Sequence, residues 1–343
     1  MKKLFFFLFI SLIWNQYIQA QVSTNSGSGL ATSYPTLADA LTALNAATIT
    51  DPVIITLDPA NPQTAPAGGY SITASGSATN TILLQGSSNT ITAPNPQITG
   101  QLFDAIFKIV GGDFITIDGF VMQENPANVT TVAATNNMTE WGVALLYAST
   151  TNGAQNNTIS NCNISLNRTY QNSFGIYSNS THAANTPTTS ATATTTAGAN
   201  SGLTITDNTI SNVNMGIVVI GPFAAADHND VLTIGGIGNA NTITNYGTTS
   251  TFSAFANVAA SVNGILVKNT KNFNISYNTL TSSEFGTTVG TLYGIQITPS
   301  TNAPTGTFTN SINYNNVSLK SGQADGNSFS GYHHSKYYFY FKC

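Results

Sequence analysis

The chain repeats one six-residue phrase, as Ile205-Thr-Asp-Asn-Thr-Ile210, Ile275-Ser-Tyr-Asn-Thr-Leu280 and Ile312-Asn-Tyr-Asn-Asn-Val317. Its order is apolar, polar, variable, Asn, polar, apolar. Ile159-Ser-Asn-Cys-Asn-Ile164 is a looser copy with Cys162 in the Asn position, and Ile117-Asp-Gly-Phe-Val121 is looser still. Isoleucine is stiff at χ1 and suits a pleated sheet, in which alternate residues face opposite sides. The phrase therefore predicts strand, bend, strand.

The asparagine of the phrase is the predicted bend. Asn tolerates the left-handed backbone region better than most residues, and its amide can bond to nearby backbone. We therefore expect left-handed or bridging backbone angles at Asn208, Asn278 and Asn315. Alternation on both sides of the bend directs the apolar residues of the phrase inward. The residues expected to point outward are Thr204, Thr206 and Ser276.

A second phrase is a glycine followed by an apolar strand. It occurs at Gly175-Ile176, Gly216-Ile-Val-Val-Ile220, Gly264-Ile-Leu-Val267 and Gly294-Ile-Gln-Ile297. The lead isoleucines of the six-residue phrase stand at positions 159, 205, 275 and 312, so the intervals are 46, 70 and 37 residues. The first two intervals are near multiples of roughly 23, which lies in the range of solenoid repeats. The spacing thus predicts a solenoid with an approximate period.

Composition supports a secreted all-β protein. Of the 343 residues, only 6% are charged, against about 25% in an average globular protein. The 41% of hydrophobic residues and the β-branched periodicity oppose the alternative of a disordered low-complexity chain. A β-sandwich array is the stronger alternative, because it also has short strands with turn signals, but two-residue hairpin turns are rare in this chain.

The N-terminus has the features of a signal peptide. Lys2 and Lys3 form a positive region, the segment 4–14 is apolar, and Ala20 is a small residue at the expected cleavage point. The apolar run is short for a bilayer span of about 20 residues, so a signal anchor is the less favoured alternative. Without the two lysines, seven basic residues remain against 13 acidic ones, a net charge of −6. No basic patch remains, so nucleic acid is not expected as a partner.

The chain then divides into segments of different composition. Residues 21–33 are expected to be a flexible lead, and the solenoid is expected over 34–325. In the segment Leu37–Leu44, apolar residues at positions 37, 40, 41 and 44 predict a capping helix near 36–45, with Pro35 in its first turn. Excursion loops are predicted near 180–201 and 248–260. Further predicted strands are 53–57, 81–85, 89–92, 105–110 and 114–121.

With these pieces in place, residues 34–320 resemble the right-handed parallel β-helix proteins of the pectin-lyase-like superfamily. The resemblance rests on the opening helix, on Phe114-Ile-Thr-Ile-Asp-Gly119 and on the Asn-containing phrases. The resemblance implies a single-domain, all-β fold. β-Helix chains of this kind are common among exported proteins of Bacteroidota. The final stretch, 326–343, departs abruptly from the Asn/Thr/Gly composition. We interpret it as a truncated or frame-shifted end, with a basic-aromatic interaction tail as the alternative.

The resemblance also indicates which catalytic residues to look for. β-Helix polygalacturonases use clustered aspartates with His-Gly and Arg-x-Lys motifs, none of which occurs here. β-Helix pectate lyases use calcium-binding acidic residues and a basic residue that abstracts a proton. The residues available for such a site are Asp113 and Asp118, near one turn, together with Lys108 and Arg168. We found no two close acids beside a base in any repeat, and Asp118 before Gly119 is better explained as a turn residue.

Other candidate ligands are isolated. The segment Asp227–Asp230 offers oxygen donors suited to calcium, but they are too few, and a solvated polar turn is the simpler interpretation. His182 has no evident nucleophile or carboxylate partner. Cys162 is predicted to be a buried small apolar residue, and a disulfide with Cys343 has no spacing argument behind it. No catalytic, cofactor-binding or metal-binding residue is therefore assigned, and no cofactor is expected.

Tyrosines recur beside the strand phrases. If Tyr277 and Tyr314 occupy the same position of successive phrases, their rings are expected to stack. Such a ladder either stabilises neighbouring coils or forms a sugar-binding platform. The tyrosines concerned are Tyr147, Tyr170, Tyr177, Tyr246, Tyr277, Tyr293 and Tyr314.

These observations together indicate an exported right-handed parallel β-helix that is not an enzyme. The leading function is a structural or adhesin-like protein at the cell surface or secreted, in the form of a fragment of a larger protein. Its expected partners are extracellular glycans or other surface proteins, with no transmembrane segment after signal cleavage. The alternative is a carbohydrate-active β-helix, either lyase-like or glycan-binding. A convergent group of carboxylates and a base would distinguish the two.

Overall fold

The computed structural model describes residues 21–100, 102–132, 135–184, 192–247, 262–283, 292–298, 306–320 and 329–334. The predicted signal peptide and the predicted loop at 248–260 lie outside these residues, as does Cys343. The described chain is predominantly β and forms three sheets of stacked, almost entirely parallel strands. This arrangement is a β-solenoid, as the two sequence phrases predict.

Sheet A has ten strands, numbered here in chain order through the molecule. They are β1 (Val22–Thr24), β2 (Ser33–Tyr34), β3 (Val53–Leu57), β6 (Ile82–Gln85), β9 (Ile115–Asp118), β12 (Thr158–Ser160), β15 (Leu203–Thr206), β18 (Asn229–Ile234), β21 (Thr270–Ser276) and β24 (Ser311–Asn313).

Sheet B has eight short strands, each following a sheet A strand after a bend. They are β4 (Gln63–Thr64), β7 (Thr90–Thr92), β10 (Val121–Gln123), β13 (Asn163–Ser165), β16 (Thr209–Ser211), β19 (Thr242–Tyr246), β22 (Thr279–Ser282) and β25 (Asn316–Ser318).

Sheet C completes each coil and contains the glycine-led strands. Its eight strands are β5 (Tyr70–Ile72), β8 (Ala105–Val110), β11 (Trp141–Tyr147), β14 (Phe174–Ala183), β17 (Met215–Ile220), β20 (Val262–Lys268), β23 (Leu292–Thr298) and β26 (Phe329–His334). The last of these pairs in parallel with β23, within the stretch whose composition is aberrant.

Coil length varies more than the predicted period of roughly 23 residues allows. Ile205 pairs with Ile159, which is 46 residues earlier, so that interval is one coil and not two. The 70-residue interval contains two coils, because Ile234 pairs with both Ile205 and Ile275. The prediction of the period is therefore wrong. The physical reason is that only the short strands must superpose, whereas the connections between them can lengthen freely.

The interior is a continuous stack of aliphatic side chains. Ile205, Ile210, Ile275 and Leu280 are fully buried in one core cluster, as predicted, and Ile312 and Val317 are partly buried against it. Thr204 and Thr206 are half-exposed, also as predicted.

Ser276 differs from the prediction, because it is only 4% exposed. On one side its strand partner is Asn313. On the other side Gly235 is so close that an added Cβ would touch the Ser276 carbonyl oxygen. A short side chain between two coils is covered even when it does not face the core.

The bend prediction is wrong by one residue. Left-handed φ angles occur at Asp207 (58°), Tyr277 (62°) and Tyr314 (56°), each immediately before the asparagine of the phrase. The asparagine side chain instead turns inward and bonds to backbone. Asn278 Nδ2, for example, donates to the carbonyl oxygens of Ile234 and Ser276, at 2.9 and 3.1 Å.

These inward asparagines form a ladder, here called the Asn ladder, that comprises Asn208, Asn241, Asn278 and Asn315. The Nδ2 atom of each of the first three donates to Oδ1 of the next, at 2.9 to 3.0 Å. Each Oδ1 also accepts the backbone N–H of the preceding member of the ladder. The ladder satisfies buried backbone groups that the bend removes from the sheets.

Glycine in sheet C has a steric explanation. A Cβ added at Gly216 would lie 2.4 Å from the carbonyl oxygen of Gly264 and 2.7 Å from Cγ2 of Ile243. Gly175 and Gly264 are equally confined by their neighbours. Sheet C can therefore approach the stacked isoleucines of sheet B at these glycines, because glycine has no side chain.

The N-terminal segment contains the one α-helix of the described residues, α1 (Leu37–Ala46). Its predicted apolar face is buried in the main core. Thr36 is the N-cap, and its side chain accepts a hydrogen bond from the Asp39 N–H. Pro35 therefore precedes the helix and is not in its first turn, because the threonine hydroxyl supplies the cap.

The predicted flexible lead contains a strand. In residues 21–33, β1 pairs antiparallel with β3 and with β2. The structure thus places a strand across the first edge of sheet A, where unpaired backbone groups would otherwise be exposed.

Candidate functional site

The outward side of sheet B is the most regular surface of the molecule. Most of its strands centre on a buried apolar residue with a half-exposed or exposed residue on either side, such as Thr242 and Thr244 around Ile243. Strand pairing places these residues in two parallel rows, here called the sheet B face. The first row is Thr90, Val121, Asn163, Thr209, Thr242, Thr279 and Asn316, and the second is Thr64, Thr92, Gln123, Ser165, Ser211, Thr244, Thr281 and Ser318.

No member of the sheet B face is charged. The corresponding outward side of sheet A also has a threonine row, at Thr116, Thr158, Thr204 and Thr233. That row continues directly into Leu83 and the exposed Ile54, and the outward row beside it contains Asp118. Sheet A thus offers a similar but less uniform surface.

The two acids proposed for a lyase-like site are engaged in structural bonds. Asp113 Oδ1 accepts the Gln155 N–H at 2.7 Å, and its Oδ2 accepts the Ser75 hydroxyl at 3.0 Å. Asp118 Oδ1 accepts from the side chains of Ser160 and Asn161, at 2.7 and 2.6 Å. Each carboxylate therefore ties its coil to an adjacent one.

The two bases proposed for that site lie elsewhere. Lys108 is on β8 of sheet C, and its Nζ donates to the Phe103 carbonyl oxygen at 3.1 Å. Arg168 follows β13, and its Nη1 donates to the carbonyl oxygen of Gly247 at 2.9 Å. The structure shows no direct bond between either base and the Asp113 or Asp118 carboxylate within the described residues.

Sequence reasoning missed a pair of acids that the fold brings together. Asp104 and Glu140 immediately precede β8 and β11, whose register places Ala105 opposite Trp141. Both acids are completely buried. Glu140 Oε2 accepts the Asp104 N–H at 2.8 Å, and Oε1 accepts the Tyr170 hydroxyl at 2.9 Å. The sequence-based conclusion that no repeat has two close acids beside a base is therefore wrong. Asp104 and Glu140 are close together, and Lys108 lies on β8, the strand that Asp104 precedes.

Burial dominates the electrostatics of this acidic cluster. Desolvation raises the pKa of Asp104 to about 7 and raises that of Glu140 well above its usual value, to which the facing Asp104 also contributes. Desolvation likewise raises the pKa of Glu124 and lowers that of Lys108. Both Asp104 oxygens are buried without a hydrogen bond of ordinary geometry. Burial without such partners favours the neutral form of a carboxyl group, in agreement with the raised pKa of Asp104.

His182 has partners that its sequence context did not reveal. Its Nδ1 lies 3.1 Å from the Tyr177 hydroxyl, which also accepts from Asn179 Nδ2 at 2.8 Å. Tyr177 stacks on Trp141 with ring centroids 5.1 Å apart. All four side chains are buried. Trp141 and Tyr177 belong to a second apolar cluster, separate from the main core.

The segment Asp227–Asp230 uses its oxygens within the protein. Asn229 Oδ1 accepts from the Ser180 hydroxyl and from the Asn200 N–H. Asp230 Oδ1 accepts from Asn272 Nδ2 at 2.7 Å, and its Oδ2 is 4.0 Å from Lys271 Nζ. Within the described residues, no group of three or more His, Cys, Asp or Glu side chains could hold a metal ion.

Cys162 is buried, as predicted. It occupies the Asn ladder position of its coil, where its N–H donates to Asn208 Oδ1 at 3.0 Å. Its Sγ approaches the carbonyl oxygens of Ser160 and Ile117, which a ladder asparagine would also contact. Burial raises the pKa of the thiol to about 12, so that it is not a thiolate at neutral pH.

Tyr277 and Tyr314 stack, as predicted from their equivalent positions. Their ring centroids are 4.8 Å apart and their planes differ by 23°. Stacking covers one face of each ring, and Tyr314 is 75% exposed. Tyr170, Tyr177 and Tyr246 are fully buried, so they cannot be part of a sugar-binding platform.

Comparison with known proteins adds no family. A scan against protein-family models finds no match, and a search of curated proteins finds no significant relative. In the residues that the structure describes, no helix is long and apolar enough to cross a membrane.

Proposed function

We propose that this chain is an exported, non-enzymatic structural or adhesive protein that displays the sheet B face to its surroundings. The uncharged, half-exposed face of two regular rows is the observation behind this proposal. The acid pair Asp104 and Glu140 and the histidine His182, in contrast, are fully buried. A catalytic acid or base must come within hydrogen-bonding reach of its substrate, which Asp104 and Glu140 do not at full burial.

The finer architecture belongs to the same proposal. From β3 onward, successive strands of each sheet are parallel and are connected through the other two sheets. Connections between parallel strands of one sheet are right-handed in about 98% of cases, which supports a right-handed β-helix of the pectin-lyase-like type, as in exported proteins of Bacteroidota. Helix α1 would cover its first coil, and residues 1–20 would direct export. Extracellular glycans or other surface proteins are the proposed partners.

Adhesion can be tested on the mature chain, residues 21–343, immobilised on beads. Beads are allowed to settle on surfaces coated with bacterial cells or extracellular polysaccharide, and retention under flow is measured. Thr242→Glu puts a charge in the middle of the sheet B face. Thr204→Glu is the matched control, since both threonines are half-exposed and precede a fully buried isoleucine.

We expect beads with the unaltered chain or with Thr204→Glu to be retained, and beads with Thr242→Glu to detach. Retention of the unaltered chain no better than that of albumin-coated beads would contradict adhesion to cells and to polysaccharide. Circular dichroism spectra of the two variants establish that both keep the fold.

A second candidate function, glycan binding, is favoured by the Tyr277–Tyr314 stack. Sugar rings pack their apolar faces on aromatic rings, and the outer face of Tyr314 is available for this contact. A glycan array probed with the mature chain should then lose its signal with Tyr314→Ala and keep it with Tyr314→Phe. Equal signals for both variants would exclude the ring as the binding element.

A further inference from the structure

We propose that the sheet B face binds ice, and that the adhesive surface of this protein is therefore directed at frozen water. This inference rests on the proposed function and names the ligand of the same surface. The argument depends on the spacing, rigidity and chemistry of the two rows.

The spacing of the rows follows from the sheet. Neighbouring strands of a parallel sheet are about 4.8 Å apart, and residues i and i+2 of one strand are about 6.6 Å apart. Because Thr209, Thr242 and Thr279 pair directly with one another, their hydroxyls repeat at the first distance. Thr242 and Thr244 repeat at the second. The prism faces of hexagonal ice present oxygen atoms in a rectangular net with similar repeats in both directions.

The rigidity of the rows follows from the residue types and from the core beneath them. Threonine is β-branched and has few rotamers, so its hydroxyl and methyl group are held in place before binding. Outward pairs such as Thr242 and Thr244 flank a buried aliphatic residue, and the Asn ladder fixes the start of the strands on one side. A surface that is already ordered loses little conformational entropy on contact with a crystal.

The chemistry of the rows suits ordered water. Within the described part of the chain, the hydroxyls of Thr209, Thr242 and Thr279 make no hydrogen bond to protein groups, so they are available to water. Their methyl groups are apolar and border the spaces between hydroxyls. Charged side chains hold water in shells that do not match ice, and the sheet B face has none. Sheet A differs here, because Asp118 lies in its outward rows.

The test uses the mature chain, residues 21–343, with Thr242→Glu and the control Thr204→Glu. Inhibition of ice recrystallisation and thermal hysteresis are measured beside albumin, and partition of the protein into a slowly growing ice hemisphere is measured directly. We expect the unaltered chain and Thr204→Glu to inhibit recrystallisation and to enter the ice. Thr242→Glu should lose thermal hysteresis several-fold while its circular dichroism spectrum and melting temperature stay unchanged.

Two results would overturn the inference. The first is an unaltered chain that behaves as albumin does in all three ice assays. The second is an equal loss with Thr242→Glu and Thr204→Glu, which would mean that no single face is responsible. If ice activity is missing but bead retention still depends on Thr242, the adhesive function stands and its ligand is another surface, such as a crystalline polysaccharide. If both are missing, the adhesive function fails as well.

Discussion

At the scale of single residues, the asparagines decide how one strand leads to the next. An asparagine at a bend can supply either of two properties, a tolerance for left-handed angles or a compact amide that bonds to backbone. The structure uses the second property, and the left-handed angle falls on whatever residue comes before, including Tyr277 and Tyr314. The repeated phrase could locate the bend but could not tell these two roles apart.

Replacement of Asn278 should therefore destabilise the fold through lost hydrogen bonds and not through backbone strain. Asn278→Val removes the Asn278 partner of the buried Asn241 side-chain and backbone N–H groups and of the Ile234 carbonyl, while Asn241 Nδ2 keeps its bond to the Ile205 carbonyl. The expected loss in the free energy of unfolding is about 3 kcal/mol, since each buried unsatisfied group costs roughly 1–3 kcal/mol.

The measurement is urea unfolding followed by circular dichroism. Asn163→Val is the control, because Asn163 is an exposed strand residue of sheet B and valine suits strands. It should change stability by less than about 0.5 kcal/mol. Equal stability of the two variants would show that the ladder is not a source of stability.

At the scale of elements, the chain specifies strands well and coil lengths poorly. Strands over 53–57 and 105–110 were predicted to the residue, because alternation and β-branched residues are local signals. The number of residues per coil was not predicted, since a connection of any length can return to the same register. The Asp104–Glu140 pair was missed for the same reason, because two acids 36 positions apart are recognised as neighbours only when Ala105 is known to pair with Trp141.

Contact between sheets B and C predicts a second stability effect. In Gly216→Ala, the new methyl group would meet the Gly264 carbonyl oxygen and the Ile243 side chain, and overpacking of this kind costs about 1–3 kcal/mol. Gly236→Ala is the matched control, because an added Cβ there has only the Asn239 Cβ within reach, at 3.9 Å. Thermal unfolding should show a lower melting temperature for the first variant alone. A normal melting temperature for Gly216→Ala would mean that the two sheets are not held this closely.

The buried acidic cluster predicts that stability falls as pH rises. The unfolded chain releases the Asp104 proton near pH 4, whereas the folded protein holds it until about pH 7. Between these values the folded state binds more protons, so the free energy of unfolding decreases with pH. Glu140 and Glu124 act in the same direction, since burial raises the pKa of both.

Melting temperatures between pH 4 and pH 8 test this prediction. The decrease with pH should be smaller in Asp104→Asn, which has no proton to release, and unchanged in Asp51→Asn, whose side chain is exposed. Lys108 and Tyr170 are the other titratable groups beside the cluster. Burial lowers the pKa of Lys108 and raises the pKa of Tyr170. A melting temperature that rises from pH 4 to pH 8 would show that the acids are ionised in the folded protein.

At the scale of the whole molecule, the ionisable groups considered for catalysis lie apart from the uncharged sheet B face. The two acids that the fold brings together lie in the interior, and Asp113, Asp118 and Arg168 each hold one coil to another. Residues 21–343 contain seven basic and 13 acidic residues. Acid–base catalysis needs at least two titratable groups that converge on one position of a substrate.

We therefore expect no turnover of pectin, polygalacturonate, alginate or other common uronic-acid polymers, with or without added calcium. Purified residues 21–343 are incubated with each polymer, and both unsaturated uronate products and new reducing ends are measured over the pH range of the stability experiment. Binding without turnover, retained in Asp113→Asn and Asp118→Asn, agrees with an adhesive solenoid. Turnover that is abolished by either of these substitutions or by Arg168→Gln would instead make the chain a lyase. Loss of a merely structural bond would lower the melting temperature but leave the folded fraction of the protein active.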